Sequence, residues 1–293
     1  MTTLNHFLSQ YDGKLNDADV QRAVNELLTT GFDKNNTKEV YRTCLSLIDL
    51  TSLNATDTEE KIADMVRKVN LFPETFPELD NVAAICVYPS LTPIARKTLS
   101  ATGVNIAAVS AGFPSSQTFI EAKVAEVALT VQAGADEVDV VQSLGKFFSG
   151  SFEEVCEELS ELKAACRQAH LKVILESGAL HSAQEVKQAS LIAIAAGADF
   201  IKTSTGKTDP AATLEAAYVM CSVIRDYYEK TGIKIGFKPA GGIVSTEDAV
   251  KFYTIVNALL GKEWMTKQLF RFGASRLANN LLSSILDREV VFF

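Results

Sequence analysis

Short apolar segments and longer amphipathic segments alternate along the chain from about residue 45. The short segments are rich in Val, Ile and Ala and are apolar throughout, which is typical of strands buried on both faces of a parallel sheet. The segments between them have helical periodicity. Eight strands are predicted, at 45–50, 82–88, 105–113, 137–141, 172–177, 199–205, 234–241 and 270–275.

Two of the predicted helices begin with recognisable polar signals. Thr56 with Glu59 resembles a capping box ahead of the first helix after residue 50, and Ser245 with Asp248 forms a related acidic start near the end of the chain. These signals support the division of the chain into repeated strand–helix units.

The number and size of these units predict the fold. Eight units in about 240 residues match a TIM (β/α)8 barrel. The repeated sequence AGAD, at 133–136 and 196–199, places a glycine where a left-handed helix cap is expected before a strand. A doubly wound sheet is the alternative, but no glycine-rich dinucleotide turn follows the first strand. We predict an α/β fold with a helical N-terminal extension at 1–40 and the barrel at 41–293.

Composition and charge narrow the classes of partner. The chain of 293 residues is 47% hydrophobic and has a net charge of −8, which argues against nucleic acid or an anionic membrane as the main partner. No apolar run reaches the roughly 18 residues that span a bilayer, and the N-terminus lacks the features of a signal peptide. We expect a cytoplasmic protein.

Cysteine and histidine offer little for chemistry. The five cysteines form no Cys-x-x-Cys pair and lie mostly among apolar neighbours, so reduced structural thiols are expected and a zinc site is not. His6, His170 and His181 are far apart in the sequence. The expected chemistry therefore depends on Lys and Asp, with no metal or cofactor.

In a TIM barrel the functional residues lie at the carboxyl ends of the strands. Each carboxylate there could be a helix cap or an ion-pair partner, and each lysine could pair with a carboxylate. The predicted strand ends contain Asp49, Cys86, 112–114, Asp139, Glu176, Lys202, Lys238 and 273–275.

Two lysines on adjacent strands favour a more specific interpretation. Neighbouring strands lie about 4.8 Å apart, so inward-pointing Lys202 and Lys238 would be close. Burial and a like charge both lower a lysine pKa, which favours a nucleophilic, Schiff-base-forming amine at Lys202. Asp139, two strands away, is expected to move protons through water.

Glycine-rich turns predict a phosphate site beside these lysines. The turns at 205–207, 241–242 and 273–275 follow strands six, seven and eight, and glycine lets backbone N–H groups approach an anion. Lys207 adds a positive charge. A tight turn with no ligand is the alternative for any one of them.

Three other functions compete with a Schiff-base lysine enzyme. The sequence TGKT at 205–208 resembles the end of a Walker A loop, but Ile201 stands where that motif needs glycine and Asp209-Pro210 follows where it needs a helix. A sugar-phosphate isomerase or epimerase with a carboxylate base would share the turns without needing two buried lysines. A non-catalytic phosphosugar-binding barrel would need neither lysine.

Several long motifs resemble the 2-deoxyribose-5-phosphate aldolase family. The resemblance extends over about residues 40–286 and implies a class I aldolase that needs no metal. It further implies reversible cleavage of 2-deoxy-D-ribose 5-phosphate to D-glyceraldehyde 3-phosphate and acetaldehyde, in deoxyribonucleotide catabolism. The motifs are ADEVDVV (135–141), ADFIKTSTGK (198–207), GFKPAGGI (236–243) and FRFGAS (270–275), with LIDLTSL (47–53), AAICVYP (83–89) and GFP (112–114) also fitting.

The resemblance also implies individual roles. Lys202 resembles the Schiff-base lysine, Lys238 the neighbour that lowers its pKa, and Asp139 the proton-relay carboxylate. Asp49 and Cys86 resemble pocket-lining residues, with Asp49 near the sugar hydroxyls. The residues that resemble the phosphate-binding set are Gly206, Lys207, Gly241, Gly242, Gly273 and Ser275.

The chain departs from the family pattern at two places. Arg276 stands where some members have a second serine, so the role of its side chain is open. Some members use a terminal tyrosine, whereas no tyrosine follows Tyr253 here and a tail-tyrosine step is not expected. The apolar end VVFF is expected either at a subunit contact or frayed. A homo-oligomer, a dimer first, is expected.

Overall fold

The strands form a closed parallel barrel in the computed structural model, which describes residues 3–11 and 13–293. Neighbouring strands follow chain order, and β1 pairs with β8. Isolated bridges from Phe237 to Phe270 and from Ala240 to Gly273 close the remaining gap. The predicted TIM barrel is confirmed and the doubly wound alternative is wrong. The strands are β1 (Ile48–Thr51), β2 (Ala84–Val87), β3 (Asn105–Ser110), β4 (Glu137–Val141), β5 (His170–Ile174), β6 (Phe200–Lys202), β7 (Gly236–Lys238) and β8 (Phe272–Ala274).

A helix or a pair of helices follows each strand, and three helices precede β1. The three-residue strands β6, β7 and β8 are shorter than predicted, because the predicted segments include the first residues of the turns that follow. The helices are α1 (Thr3–Ser9), α2 (Asp17–Asn35), α3 (Lys38–Ser46), α4 (Glu59–Thr75), α5 (Thr92–Thr98), α6 (Ile120–Gln132), α7 (Leu144–Phe148), α8 (Phe152–Cys166), α9 (Ala183–Ala195), α10 (Leu214–Thr231), α11 (Thr246–Leu260) and α12 (Leu277–Leu286).

One predicted helix start is confirmed and the other is wrong. Ser245 and Asp248 form a complete capping box at the start of α11. At α4 the N-cap is Thr58 and not Thr56. The reason is Asp57, whose carboxylate accepts hydrogen bonds from two upstream residues and folds that stretch into a turn.

The two AGAD glycines end their helices as expected. Gly134 and Gly197 have φ of 104° and 92°, a region that glycine adopts without steric cost. Each turn leads into the next strand, β4 or β6, and so fixes where the strand begins.

The N-terminal helices pack on the outside of the barrel. Helix α1 contacts α9, and α2 crosses α10 and α11. The Asp17 carboxylate accepts a hydrogen bond from the Ala183 backbone N–H at 2.7 Å, and Lys187 Nζ donates to the Gly13 carbonyl at 2.9 Å. The boundary at residue 40 stays a prediction, and residues 1, 2 and 12 of the extension lie outside the described ranges.

The apolar C-terminal end packs on its own chain. Phe293 stacks on Phe72 of α4 at 5.5 Å between ring centroids, and Phe292 lies 5.2 Å from Phe76. Asn279 of α12 hydrogen-bonds the backbone of both terminal phenylalanines. These contacts contradict the frayed tail, and the subunit contact stays a prediction.

The cysteine side chains lie mostly in the packed interior. All five cysteines are free, and four of them are buried.

Across residues 3–11 and 13–293, no helix combines the length and the apolar composition that crossing a bilayer requires.

Candidate active site

Two lysines and one aspartate meet at the carboxyl end of the barrel interior. Lys202 and Lys238 are register partners on β6 and β7. Their Nζ atoms each lie 2.8 Å from the same oxygen, Oδ2 of Asp139 on β4. The expected proximity of the lysines is confirmed, and Asp139 contacts both directly rather than at the distance of a bridging water.

These three side chains belong to a larger group of buried charges. We call it the interior charge cluster: four cationic side chains and three carboxylates, each at most 3% exposed. Water screens such charges very little, so their mutual contacts decide which of them are ionised. The cluster consists of Asp49, Glu137, Asp139, Lys172, Lys202, Lys238 and Arg271.

Arg271 and Lys172 occupy the lower part of the cluster. The Arg271 guanidinium donates to Glu137 at 2.7 and 3.1 Å and to Asp49 at 2.6 Å. Lys172 Nζ pairs with Glu137 and lies 3.3 Å from Asp139 Oδ1 and 3.6 Å from Asp49 Oδ2. These contacts hold the Asp49 and Asp139 carboxylates in place from the side of the cluster that is farther from the cavity.

The cluster shifts the pKa values of its upper members in opposite directions. Burial opposes ionisation of Asp139, but Lys172, Lys202 and Lys238 outweigh it and hold the pKa of that carboxyl well below its usual range. Burial lowers the pKa of Lys202 and the Lys238 ammonium lowers it further, against the opposing effect of Asp139.

Lys238 behaves differently from Lys202. Burial lowers its pKa, but the carboxylates of Asp139 and Asp49 raise it by more, and the net pKa is above that of an ordinary lysine. Asp49 Oδ2 lies only 2.5 Å from Lys238 Nζ. Lys238 therefore stays a cation beside a neighbour that releases its proton more readily.

Sequence reasoning missed three members of the cluster. Glu137, Lys172 and Arg271 lie within the predicted strands 137–141, 172–177 and 270–275, but none was assigned a role. A usable signal was present on β4, because residues at i and i+2 of a strand share a face. Glu137 therefore points inward with Asp139, and a second buried carboxylate calls for further cations.

The glycine turns surround one cavity beside Lys202. Its volume is about 300 Å³, and Lys202 opens into it from below. All of the predicted phosphate-binding residues lie on its wall, together with Thr205 and Arg276. The predicted residues are Gly206, Lys207, Gly241, Gly242, Gly273 and Ser275.

Two of these glycines are required by close approach of the backbone. A Cβ on Gly241, whose φ is 87°, would lie 2.6 Å from the Ala211 Cβ, and a Cβ on Gly273 would lie 2.7 Å from the Ala240 Cβ. Atoms at these separations overlap, so larger residues would push the turns apart. Close packing of this kind lets the backbone of the turns approach an anion in the cavity.

Polar contacts fix the turn that follows β6. Glu176 accepts hydrogen bonds from the backbone N–H and the hydroxyl of Thr205, at 3.1 and 2.6 Å. Lys207 Nζ donates to the Leu53 carbonyl and so reaches across the cavity mouth. Arg276 is exposed on the cavity wall, and within the described ranges its side chain makes no ion pair.

Asp49 and Cys86 lie deeper than the open cavity. Both are fully buried. Cys86 packs in a small apolar group with Leu53 and Val109, and burial raises the pKa of its thiol. Asp49 faces Lys238 and Arg271. Within the described ranges, no cluster of His, Cys, Asp and Glu is arranged to hold a metal ion.

Comparison with known proteins gives the family. The model of the DeoC/LacD family aldolases matches residues 43–275. A Homo sapiens deoxyribose-phosphate aldolase is 41% identical over 251 residues, covering 81% of this chain and 78% of the relative. The Mus musculus deoxyribose-phosphate aldolase is 40% identical, with the same coverage.

A solved structure agrees with these sequences. The "unique tetrameric structure of deoxyribose phosphate aldolase from Aeropyrum pernix" is similar with a TM-score of 0.64 and 27% identity, covering 88% of this chain and 96% of that one. The family model alone spans the barrel from α3 to β8. The chain belongs to the DeoC/LacD family of aldolases.

Proposed function

We propose that this protein is a class I aldolase that reversibly cleaves 2-deoxy-D-ribose 5-phosphate to D-glyceraldehyde 3-phosphate and acetaldehyde. The observation that supports it most is the pair of lysines on one aspartate, with the low-pKa lysine opening into the cavity. Family membership favours this over an isomerase or a non-catalytic barrel.

Lys202 is the proposed nucleophile. Its neutral amine attacks C1 of the open-chain sugar aldehyde and a C–N bond forms. The carbonyl oxygen takes one proton from the amine nitrogen and a second from solvent by way of Asp139, and leaves as water, giving an iminium ion. The positive nitrogen then accepts the electron pair released when the C2–C3 bond breaks. Lys202 suits this role because only a deprotonated amine attacks a carbonyl, and its pKa is lowered.

Asp139 and Lys238 are the proposed partners in proton transfer. The C3 hydroxyl loses its proton as C2–C3 breaks, which releases glyceraldehyde 3-phosphate and leaves an enamine. Protonation of the enamine at C2 and hydrolysis by one water release acetaldehyde and restore the amine. Asp139 is suited to pass these protons because it contacts both amines. Lys238 keeps the charge that depresses the Lys202 pKa.

The cavity wall is the proposed phosphate site. Backbone N–H groups of the turns at Gly206, Gly241–Gly242 and Ser275 would donate to phosphate oxygens, and Lys207 would supply charge. Gly273, whose own N–H donates to the Pro239 carbonyl, would line the wall. Arg276, whose side chain is exposed at the same wall, would add a weaker second charge.

Residues deeper than the cavity would enclose the rest of the substrate. Asp49 and Cys86 are proposed to line the sugar side of the pocket, with Asp49 toward the hydroxyl groups. We place the activity in the cytoplasm, in deoxyribonucleotide catabolism, and in a homo-oligomer, a dimer first. The tetramer described for the Aeropyrum pernix aldolase makes oligomerisation a reasonable expectation.

Reductive trapping tests the assignment. The enzyme is treated with acetaldehyde and borohydride, digested, and analysed by mass spectrometry. An ethyl group on Lys202 is expected, because borohydride reduces only an imine to a stable secondary amine. An adduct on Lys207 or Lys238 alone would assign the chemistry to another lysine. No adduct at all would favour a carboxylate-based isomerase.

A further inference from the structure

The interior charge cluster has more cations than anions. Four cationic side chains face three carboxylates, with every member at most 3% exposed. A buried charge without its own partner is strongly disfavoured. One of the four cations is therefore driven to give up its proton.

Contacts within the cluster identify which cation this is. Lys172 contacts three carboxylates, whereas Arg271 and Lys238 contact two each. Lys202 contacts one, Asp139, and shares it with the other two lysines. Arginine is not deprotonated in proteins. The surplus proton therefore leaves Lys202, which also opens into the cavity.

We propose that Arg271 and Glu137 are positioning residues that set the protonation of Lys202 through the charge balance of the cluster. No hydrogen bond or ion pair joins either of them to Lys202 in the described ranges. Their influence passes along Arg271–Asp49–Lys238–Asp139, every link of which is an ion pair of 2.5 to 2.8 Å. The inference rests on the proposed function, because it takes Lys202 as an amine that reacts when neutral.

Other titratable groups near Lys202 do not alter the count. Asp139 faces it from β4 and Lys238 from β7. Cys86 faces it from β2, and burial raises the pKa of that thiol and keeps it neutral. Glu176, at the end of β5, is occupied by two hydrogen bonds from Thr205.

Opposite changes of charge test the proposal. Trapping of the acetaldehyde imine is measured against pH for wild type, R271M, E137Q and the double variant, with the modified lysine mapped by mass spectrometry. In R271M three cations face three carboxylates, so Lys202 keeps its proton. The rising limb of the curve of trapping against pH therefore moves about one unit to higher pH. E137Q leaves four cations to two carboxylates and moves the limb about one unit to lower pH.

The double variant restores the surplus of one cation and should return the limb close to wild type. Lys123→Met removes a buried charge outside the barrel interior and serves as the control, with no expected shift. If R271M does not fold, the shift of the E137Q limb to lower pH and its reversal in the double variant test the proposal. Folded R271M and E137Q that shift in the same direction, or not at all, overturn the proposal. A wild type that traps nothing overturns the proposed function instead.

Discussion

Lys123 and Lys202 are both buried lysines that contact a carboxylate, yet their surroundings differ. Lys123, 1% exposed between α6 and α8, donates to Glu158 at 2.5 Å and to Ser143 at 3.0 Å. The other cation near Glu158 is Lys146, whose side chain is 43% exposed and therefore screened by water. Among the described residues, no second buried cation therefore competes with Lys123 for the Glu158 carboxylate.

Lys202 has no such exclusive partner. It shares Asp139 with Lys238 and Lys172, both completely buried. The two lysines therefore differ in the competition for their carboxylate and hardly at all in burial. Under the proposed function, this competition, and not burial alone, makes Lys202 a nucleophile.

Replacing the nucleophile should have the largest effect. In Lys202→Ala we expect turnover and imine trapping to be lost together, because the other lysines of the cluster stay protonated. Deoxyribose-phosphate cleavage and borohydride trapping measure this. Persistent trapping in this variant would contradict the assignment.

Removing the competing cation should have the next largest effect. In Lys238→Leu, Asp139 serves Lys202 with less competition, the pKa of Lys202 rises, and the amine stays protonated at neutral pH. Activity at pH 7 should fall roughly 10- to 1,000-fold and recover as the pH is raised. The measurement is a pH–rate profile, and a profile identical to wild type would refute this role.

Substitutions at the cavity wall should have smaller effects on activity, and only with substrates that carry a phosphate. Lys207→Met should raise KM for the phosphorylated sugar roughly tenfold, the effect of one charge-assisted hydrogen bond. Arg276→Ala should raise it roughly two- to fivefold, because the side chain is exposed. Neither should alter cleavage of unphosphorylated 2-deoxyribose. Equal losses on both substrates would point to a general structural defect.

Breaking the Lys123–Glu158 pair should lower stability and leave catalysis nearly unchanged. Lys123→Met leaves the buried Glu158 carboxylate without its closest cation and should cost about 3 kcal/mol of unfolding free energy. Urea unfolding measures the loss, and the pH–rate profile should coincide with that of wild type. A displaced profile would mean that any buried lysine influences the site, which would remove the contrast with Lys202.

Much of the fold could be predicted from the sequence because it depends on local pattern. Apolar runs, helix caps and the AGAD turns predicted all eight strands, and β4 has the predicted bounds. The start of α4 could not be predicted, because the carboxylate of Asp57 competes for the local backbone. The length of β6 depends on where the turn after Lys202 leaves the sheet, which is set by the neighbouring turns.

The candidate site was predicted unevenly for a similar reason. Lys202 and Lys238 end their strands, Asp139 lies on the inward face of β4, and all three could be found by position. Glu137 and Arg271 meet only when the barrel closes and brings β4 opposite the chain leading into β8. The strand pattern places Glu137 on the inward face with Asp139, but the pairing of Glu137 with Arg271 across the barrel interior is a long-range property that the pattern does not record.

Titration of the Lys202 amine shows whether the surrounding charges lower its pKa. Lysine side chains are labelled with ¹⁵N, the Lys202 resonance is assigned by its absence in Lys202→Ala, and its shift is followed with pH in the free enzyme. We predict that Lys202 titrates below the ordinary lysine pKa of about 10.4, while Lys238 stays charged throughout that range. A Lys202 resonance that titrates at or above the ordinary value would contradict it.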